Sequence, residues 1–213
     1  RPRLRDELRH RAGVPRRGAA GRLEALGVRV RARGDPEYPR GLGDLGDSPP
    51  VVFIRGGEVP APGSVVAIVG SRAASPYGMR QASRLAGDLA RVGLTVVSGL
   101  ARGIDAAAHR GSLEVGGRTV AVLPGALDDV SPRHHRGLAE EIAGRGTLLS
   151  EVETGPPRFR GDFVRRNRLI AALAAVTVVV EAAERSGALT TAAAATRLER
   201  SVLAVPGDVD RET

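Results

Sequence analysis

Residues 65–72 read Val-Val-Ala-Ile-Val-Gly-Ser-Arg, and no other stretch constrains the fold of this chain as tightly. Five apolar, mostly β-branched residues stop at Gly70. Ser75 and Pro76 then supply a helix N-cap and a first helical position. A buried strand therefore turns at once into a helix. The same alternation continues along the chain. It predicts strands at 65–69, 94–97, 119–123, 147–150, 176–180 and 202–205, with helices at 76–91, 104–115, 134–144, 162–174 and 188–199. Strands written as continuous Val, Leu, Ile and Ala runs are buried on both faces, as in a parallel sheet. Repeated strand-then-helix units make that sheet α/β, Rossmann-like and doubly wound, with helices on both faces and right-handed crossovers.

Upstream, 28–32 and 51–54 read as short strands separated by a Gly-, Pro- and Asp-rich connector at 33–50. Residues 1–26 are Arg-rich, with Leu4, Leu8, Leu23 and Leu26 at loosely helical spacing. The expected organisation is a helical tail at 1–26, belonging to a further N-terminal domain. One domain follows at 27–213, with connector and edge strands to 63 and the core from 64.

In such a sheet, ligands bind beyond the C-terminal strand ends, where the strand order reverses. Two predicted turns at that edge carry arginine. Gly70, Ser71 and Arg72 form the first: glycine admits a phosphate close to the backbone, serine donates a hydrogen bond, and arginine offers a charged fork. Ser98, Gly99, Arg102 and Gly103 form the second, again at a helix N-terminus, where free N–H groups and the helix dipole favour anions. Arg118, before the 119–123 strand, is either a plain turn residue or a third cation of the crevice. Ser186 and Gly187 open a later helix and serve either as its cap or as an anion cradle. Asn167 is the sole asparagine of the sequence, inside the run Arg166-Asn167-Arg168.

Composition narrows the chemistry. There are 32 basic against 24 acidic residues, a net charge of +8, and every basic residue is arginine. A basic surface attracts polyanions. Without lysine there is no P-loop, and no G-x-G-x-x-G follows the 65–69 strand. The sequence lacks cysteine, which removes thiol nucleophiles, thiolate metal sites and disulfides. No His, Asp and Glu spacing suggests a metal site, and no cofactor is expected. Ser98, Asp105 and His109 do not make a nucleophile elbow. Aromatics are 2% of the residues, too few for a stacking platform of several rings. No apolar run is long enough to span a bilayer, and the basic N-terminal stretch has no apolar signal region, which argues for a cytoplasmic protein.

The motifs V-A-I-V-G-S-R, S-G-L-A-R-G-I-D-A-A-A-H, G-G-R-T-V-A-V-L, L-L-S-E, R-N-R-L-I-A, V-V-V-E-A, S-G-A-L-T-T-A and V-P-G, in this order, resemble the DprA/Smf family of DNA-processing proteins. The upstream run from Asp35 to Leu42 fits the same pattern, so the likeness covers about residues 27–207. It implies a non-enzymatic, homodimeric domain that binds and protects single-stranded DNA and loads the recombinase RecA during natural transformation. Arg72 and the Gly103 turn would line the DNA pocket, with Arg118 and Arg166-Asn167-Arg168 as further candidates. The chain departs from the family at Leu123-Pro124-Gly125-Ala126, where a G-C-G-like turn is usual, and at Val164, where the family carries proline. The alternative is a nucleotide-binding or nucleotide-cleaving enzyme on a related scaffold, with Glu181 as its acid.

Overall fold

The computed structural model describes residues 19–153, 155, 159–184 and 186–207. A single eight-stranded sheet runs through them in the order β1-β2-β6-β5-β4-β3-β7-β8. Its strands are β1 (Arg29–Ala32), β2 (Val51–Gly56), β3 (Val65–Val69), β4 (Thr95–Ser98), β5 (Thr119–Val122), β6 (Thr147–Ser150), β7 (Val176–Val179) and β8 (Ser201–Ala204). The helices are α1 (Ala19–Ala25), α2 (Pro76–Arg91), α3 (Ile104–Glu114), α4 (Arg136–Arg145), α5 (Arg160–Leu173) and α6 (Gly187–Arg197). Every predicted element from 28 onward is present, with its ends within two residues of expectation.

From β3 the chain steps outward through β4, β5 and β6, all parallel, then returns across β3 to add β7 and β8 on the other side. The order thus reverses at β3, flanked by β4 and β7. The alternating pleat of β3 divides the core. Val65, Ala67 and Val69 pack with Leu169, Ile170 and Leu173 of α5, while Ile68 packs with Ala82 and Ala86 of α2 and with Ile104 of α3.

The connector does not end the sheet. β2 pairs antiparallel with β6, Phe53 opposite Ser150, and β1 pairs antiparallel with β2. Leu23 of α1 is buried in the same cluster as Phe53, Leu127 and Leu138, so residues 19–25 belong to this core. The rest of the expected tail, 1–18, lies outside the described residues. Arginine struts fasten the connector to α5. Arg168 bridges Asp47 (2.6 Å) and Glu151 (2.9 Å). Arg200 pairs with Asp44 and donates to the α5 C-terminal carbonyls of Ala171 and Ala174.

Candidate nucleic-acid interface

The loops after β4, β3 and β7 stand side by side at the reversal point, and backbone hydrogen bonds stitch them together. Ser71 N–H donates to the Glu181 carbonyl (2.6 Å), and Ile104 N–H donates to the Ser71 carbonyl (3.2 Å). Gly103 has φ of 73°, and a Cβ there would collide with the Ser71 carbonyl, so the two arginine-bearing turns touch only because the residue is glycine. Arg72 and Arg102 are both exposed at this corner.

The residue run 163–167 of α5 crosses the same corner. Phe163 lies beneath Arg72, whose guanidinium carbon is 5.0 Å from the ring centroid, within cation–π range. Although aromatics are scarce, the fold sets this one ring under a cation. The signal available was spacing. Phe163 precedes Arg166 and Asn167 by three and four residues, which puts all three on one helix face.

Two helix N-termini at the corner lack a side-chain cap: α3, which starts after Gly103, and α6, which starts after Ser186. The Ser186 hydroxyl is buried without a hydrogen-bond partner among the described residues. The α2 N-terminus is capped by Ser75 with Pro76 at its first position, as the sequence predicts. Ser75 Oγ accepts from Gly78 N–H (3.0 Å), and Glu181 Oε2 accepts from Ser75 N–H (2.8 Å). A carboxylate of the protein itself thus lies against the backbone at the start of α2.

Five further predicted residues turn inward or lie away from this corner. Arg166 is 3% exposed and donates through Nη1 to the carbonyls of Gly99 (2.6 Å) and Val122 and through Nε to Asn167 Oδ1 (3.2 Å). Asn167 spends its Nδ2 on Gly187 O (2.9 Å) and Thr190 Oγ1 (2.8 Å), fastening α5 to the start of α6. Both side chains are consumed inside the protein because α5 packs over the strand ends. Arg168 faces Asp47 and Glu151, and Ser98 is fully buried with its hydroxyl donating to the Ile68 carbonyl. Arg118 precedes β5, beside Gly57 at the N-terminal rim, so the reading that put it in the crevice is corrected by the strand direction.

Beneath the corner lies a buried ionic group. Asp105 is pushed up by burial and pulled back by Arg166 and by the N–H groups of Ala101 and Gly99. Arg166 is pushed down to about 10 by burial, against the opposing effect of Asp105, and stays protonated at neutral pH. His109 donates to or accepts from Thr119 Oγ1 (2.7 Å). Thr119 itself donates to the Val96 carbonyl, so its oxygen accepts and the His109 proton sits on Nδ1. Among the described residues, no group of three or more His, Asp or Glu could hold a metal ion. No helix among them is long and apolar enough to cross a membrane.

The fold is that of a Rossmann-like α/β domain with two arginine-bearing turns at its reversal point, and comparison with known proteins narrows the class. The family model for DNA recombination-mediator protein A matches residues 29–213, and the chain belongs to that family. It is 42% identical over 184 residues to Protein Smf of Synechocystis sp., covering 83% of this chain and 45% of the relative. Among solved structures it is similar to DNA processing protein A of Streptococcus pneumoniae, with TM-score 0.81, 35% identity, and coverage of 90% of this chain and 68% of the other. It is also similar to DNA processing protein A of Helicobacter pylori, whose single-stranded DNA binding mode has been described (TM-score 0.77, 29% identity, coverage 87% and 83%). The chain spans less than half the length of the Synechocystis relative.

Proposed function

We propose that this chain is the single-stranded-DNA-binding domain of a recombination mediator, gripping its strand without sequence preference. The observation that carries this reading is Arg72 set over Phe163 at the sheet's reversal point, where the α3 and α6 N-termini lack side-chain caps. An arginine and helix amides take phosphates, and a ring takes whichever base follows, because every base has a π-face. Neither contact reads a base edge. The H. pylori protein's single-stranded DNA binding supports the same ligand class.

The partners that go with this reading are single-stranded DNA, which the domain would shield, and RecA, which the mediator would load onto it during natural transformation in the cytoplasm. A homodimer belongs to the same proposal. Among the described residues β8 is the outer strand, with Val202 and Leu203 exposed, a surface suited to a second copy. Nucleotide cleavage is the weaker reading, since the Glu181 carboxylate is engaged by the Ser75 N–H.

Fluorescence anisotropy with single- and double-stranded oligonucleotides of mixed sequence tests the proposal. The expected result is tight, sequence-tolerant single-strand binding that weakens steeply with salt. Binding that is salt-insensitive, or release of base from nucleoside monophosphates, would refute it. Sedimentation velocity tests the dimer, and a RecA filament-assembly assay on coated single strands tests the loading role.

A further inference from the structure

The turn that carries Arg102 is held from beneath by three buried ionisable side chains drawn from three separate elements. Asp105, in the first turn of α3, accepts through Oδ2 from the N–H groups of Gly99 (3.2 Å) and Ala101 (3.3 Å). Arg166 of α5 donates to the Gly99 carbonyl and ties it to the Val122 carbonyl at the end of β5. His135, just before α4, bonds through Nδ1 to the Leu100 carbonyl (2.9 Å). A carbonyl only accepts, so Nδ1 carries the proton. Asp105, Arg166 and His135 are 6%, 3% and 4% exposed.

Four backbone groups on three successive residues of the turn are thus served by side chains rather than by sheet or helix. Besides these bonds, the turn is anchored by the Leu100 side chain, fully buried in the core. Leu100 has φ of 58°, a conformation that a leucine holds only when its surroundings enforce it. Gly99 has no room for a Cβ, because the Arg166 guanidinium fills that space. Apolar side chains would fill the volume with less desolvation. The ionic set supplies what they cannot: directed bonds to both the donors and the acceptors of one strained turn. Its shape passes straight to the surface, since Arg102 stands on the turn and Gly103 abuts Ser71 and Arg72.

We propose that Asp105 and Arg166, with His135, are positioning residues that fix the 99–103 turn so that Arg102 and Arg72 address one DNA strand together. None of the three touches the DNA. This rests on the DNA-binding reading above, and it assigns Arg166 a role opposite to that of a phosphate ligand.

The discriminating variant is Asp105→Asn, read with a fluorescein-labelled oligo-dT of about 20 nucleotides. If charge alone mattered, removing an acid beneath an anion site would tighten binding. Positioning instead predicts at least about fivefold weaker binding despite the added net positive charge. In an Arg102→Ala background the same substitution should cost clearly less, because the two act through one turn, whereas general loss of folded protein would weaken both backgrounds equally. In the free protein, amide exchange at Gly99 and Ala101 should accelerate about tenfold or more while Val97 in β4 stays protected.

Equal or tighter binding by Asp105→Asn, additive losses with Arg102→Ala, or unchanged exchange at Gly99 and Ala101 would overturn the inference. Should Asp105→Asn fail to fold, Arg166→Lys replaces it. That variant keeps the charge but not the fork, so it should lose affinity to a similar extent, and wild-type affinity would overturn the proposal. The parent chain is measured alongside. Failure of the parent to bind the oligonucleotide refutes the DNA reading itself, and a parent that binds as tightly as its Asp105→Asn variant refutes only the positioning role.

Discussion

The Arg72 guanidinium carbon rests 5.0 Å from the Phe163 ring centroid, joining the β3–α2 turn to α5 across the point where the strand order reverses. Neither residue is near the other in sequence, and each supplies what the other lacks: a charge for phosphate and a flat apolar face for a base. Arg72→Ala should therefore weaken single-strand binding more than about tenfold, since a charge-assisted bond contributes roughly 1.5–3 kcal/mol. The logarithmic salt dependence should also drop by about 0.7 for the phosphate lost. Anisotropy titrations across a salt series measure both.

Phe163→Ala should cost about 1–3 kcal/mol of binding, the range for one base stacked on one ring, and leave the salt slope unchanged. Phe163→Tyr should retain most of the affinity. A salt slope that falls along with affinity would mean that the ring acts only by holding Arg72.

Arg118→Ala removes the same charge as Arg72→Ala but from the opposite rim of the sheet. Its oligonucleotide affinity should stay within about twofold of the parent, as expected for a distant cation screened by salt. A loss matching that of Arg72→Ala would show that net charge, not the corner, governs binding.

Gly103→Ala should lower stability by about 2 kcal/mol or more, because a side chain at φ of 73° is strained and its Cβ meets the Ser71 carbonyl. Urea unfolding gives the value. The same variant should bind DNA poorly even where it is fully folded, since relief of the collision moves Ser71 and Arg72.

Burial, reinforced by Arg166, holds His109 at about 3 against an ordinary value of 6.5. The unfolded chain then binds a proton that the folded one refuses, so this contribution is complete above about pH 6.5 and is lost progressively as pH falls towards about 3. The slope from this single group is about 1.4 kcal/mol per pH unit within that window. In His109→Gln that slope disappears. The stability deficit of the variant, measured by guanidinium unfolding at about pH 7, should shrink or reverse by about pH 4.5. A deficit constant across that range would mean that His109 does not remain neutral in the folded state.

What the sequence determined by itself is the sheet and the location of its working edge. Strands such as Val65–Val69 are short and apolar on both faces, and this one runs into a capped helix start; these are local properties that a linear chain displays. The turns at Gly70–Arg72 and Ser98–Gly103 were legible for the same reason. Which arginines face solvent was decided only by tertiary structure. Arg165, Arg166 and Arg168 are neighbours in one run, yet Arg165 is exposed, Arg166 is buried under the Gly99 carbonyl and Arg168 is bound by Asp47 and Glu151. A helix turns 100° per residue, so adjacent side chains meet different surroundings. Those surroundings are supplied by strand ends and loops far away in the chain. The same holds for Glu181, whose carboxylate accepts from the Ser75 N–H across 106 residues of sequence, a pairing that exists only because β7 lies beside β3.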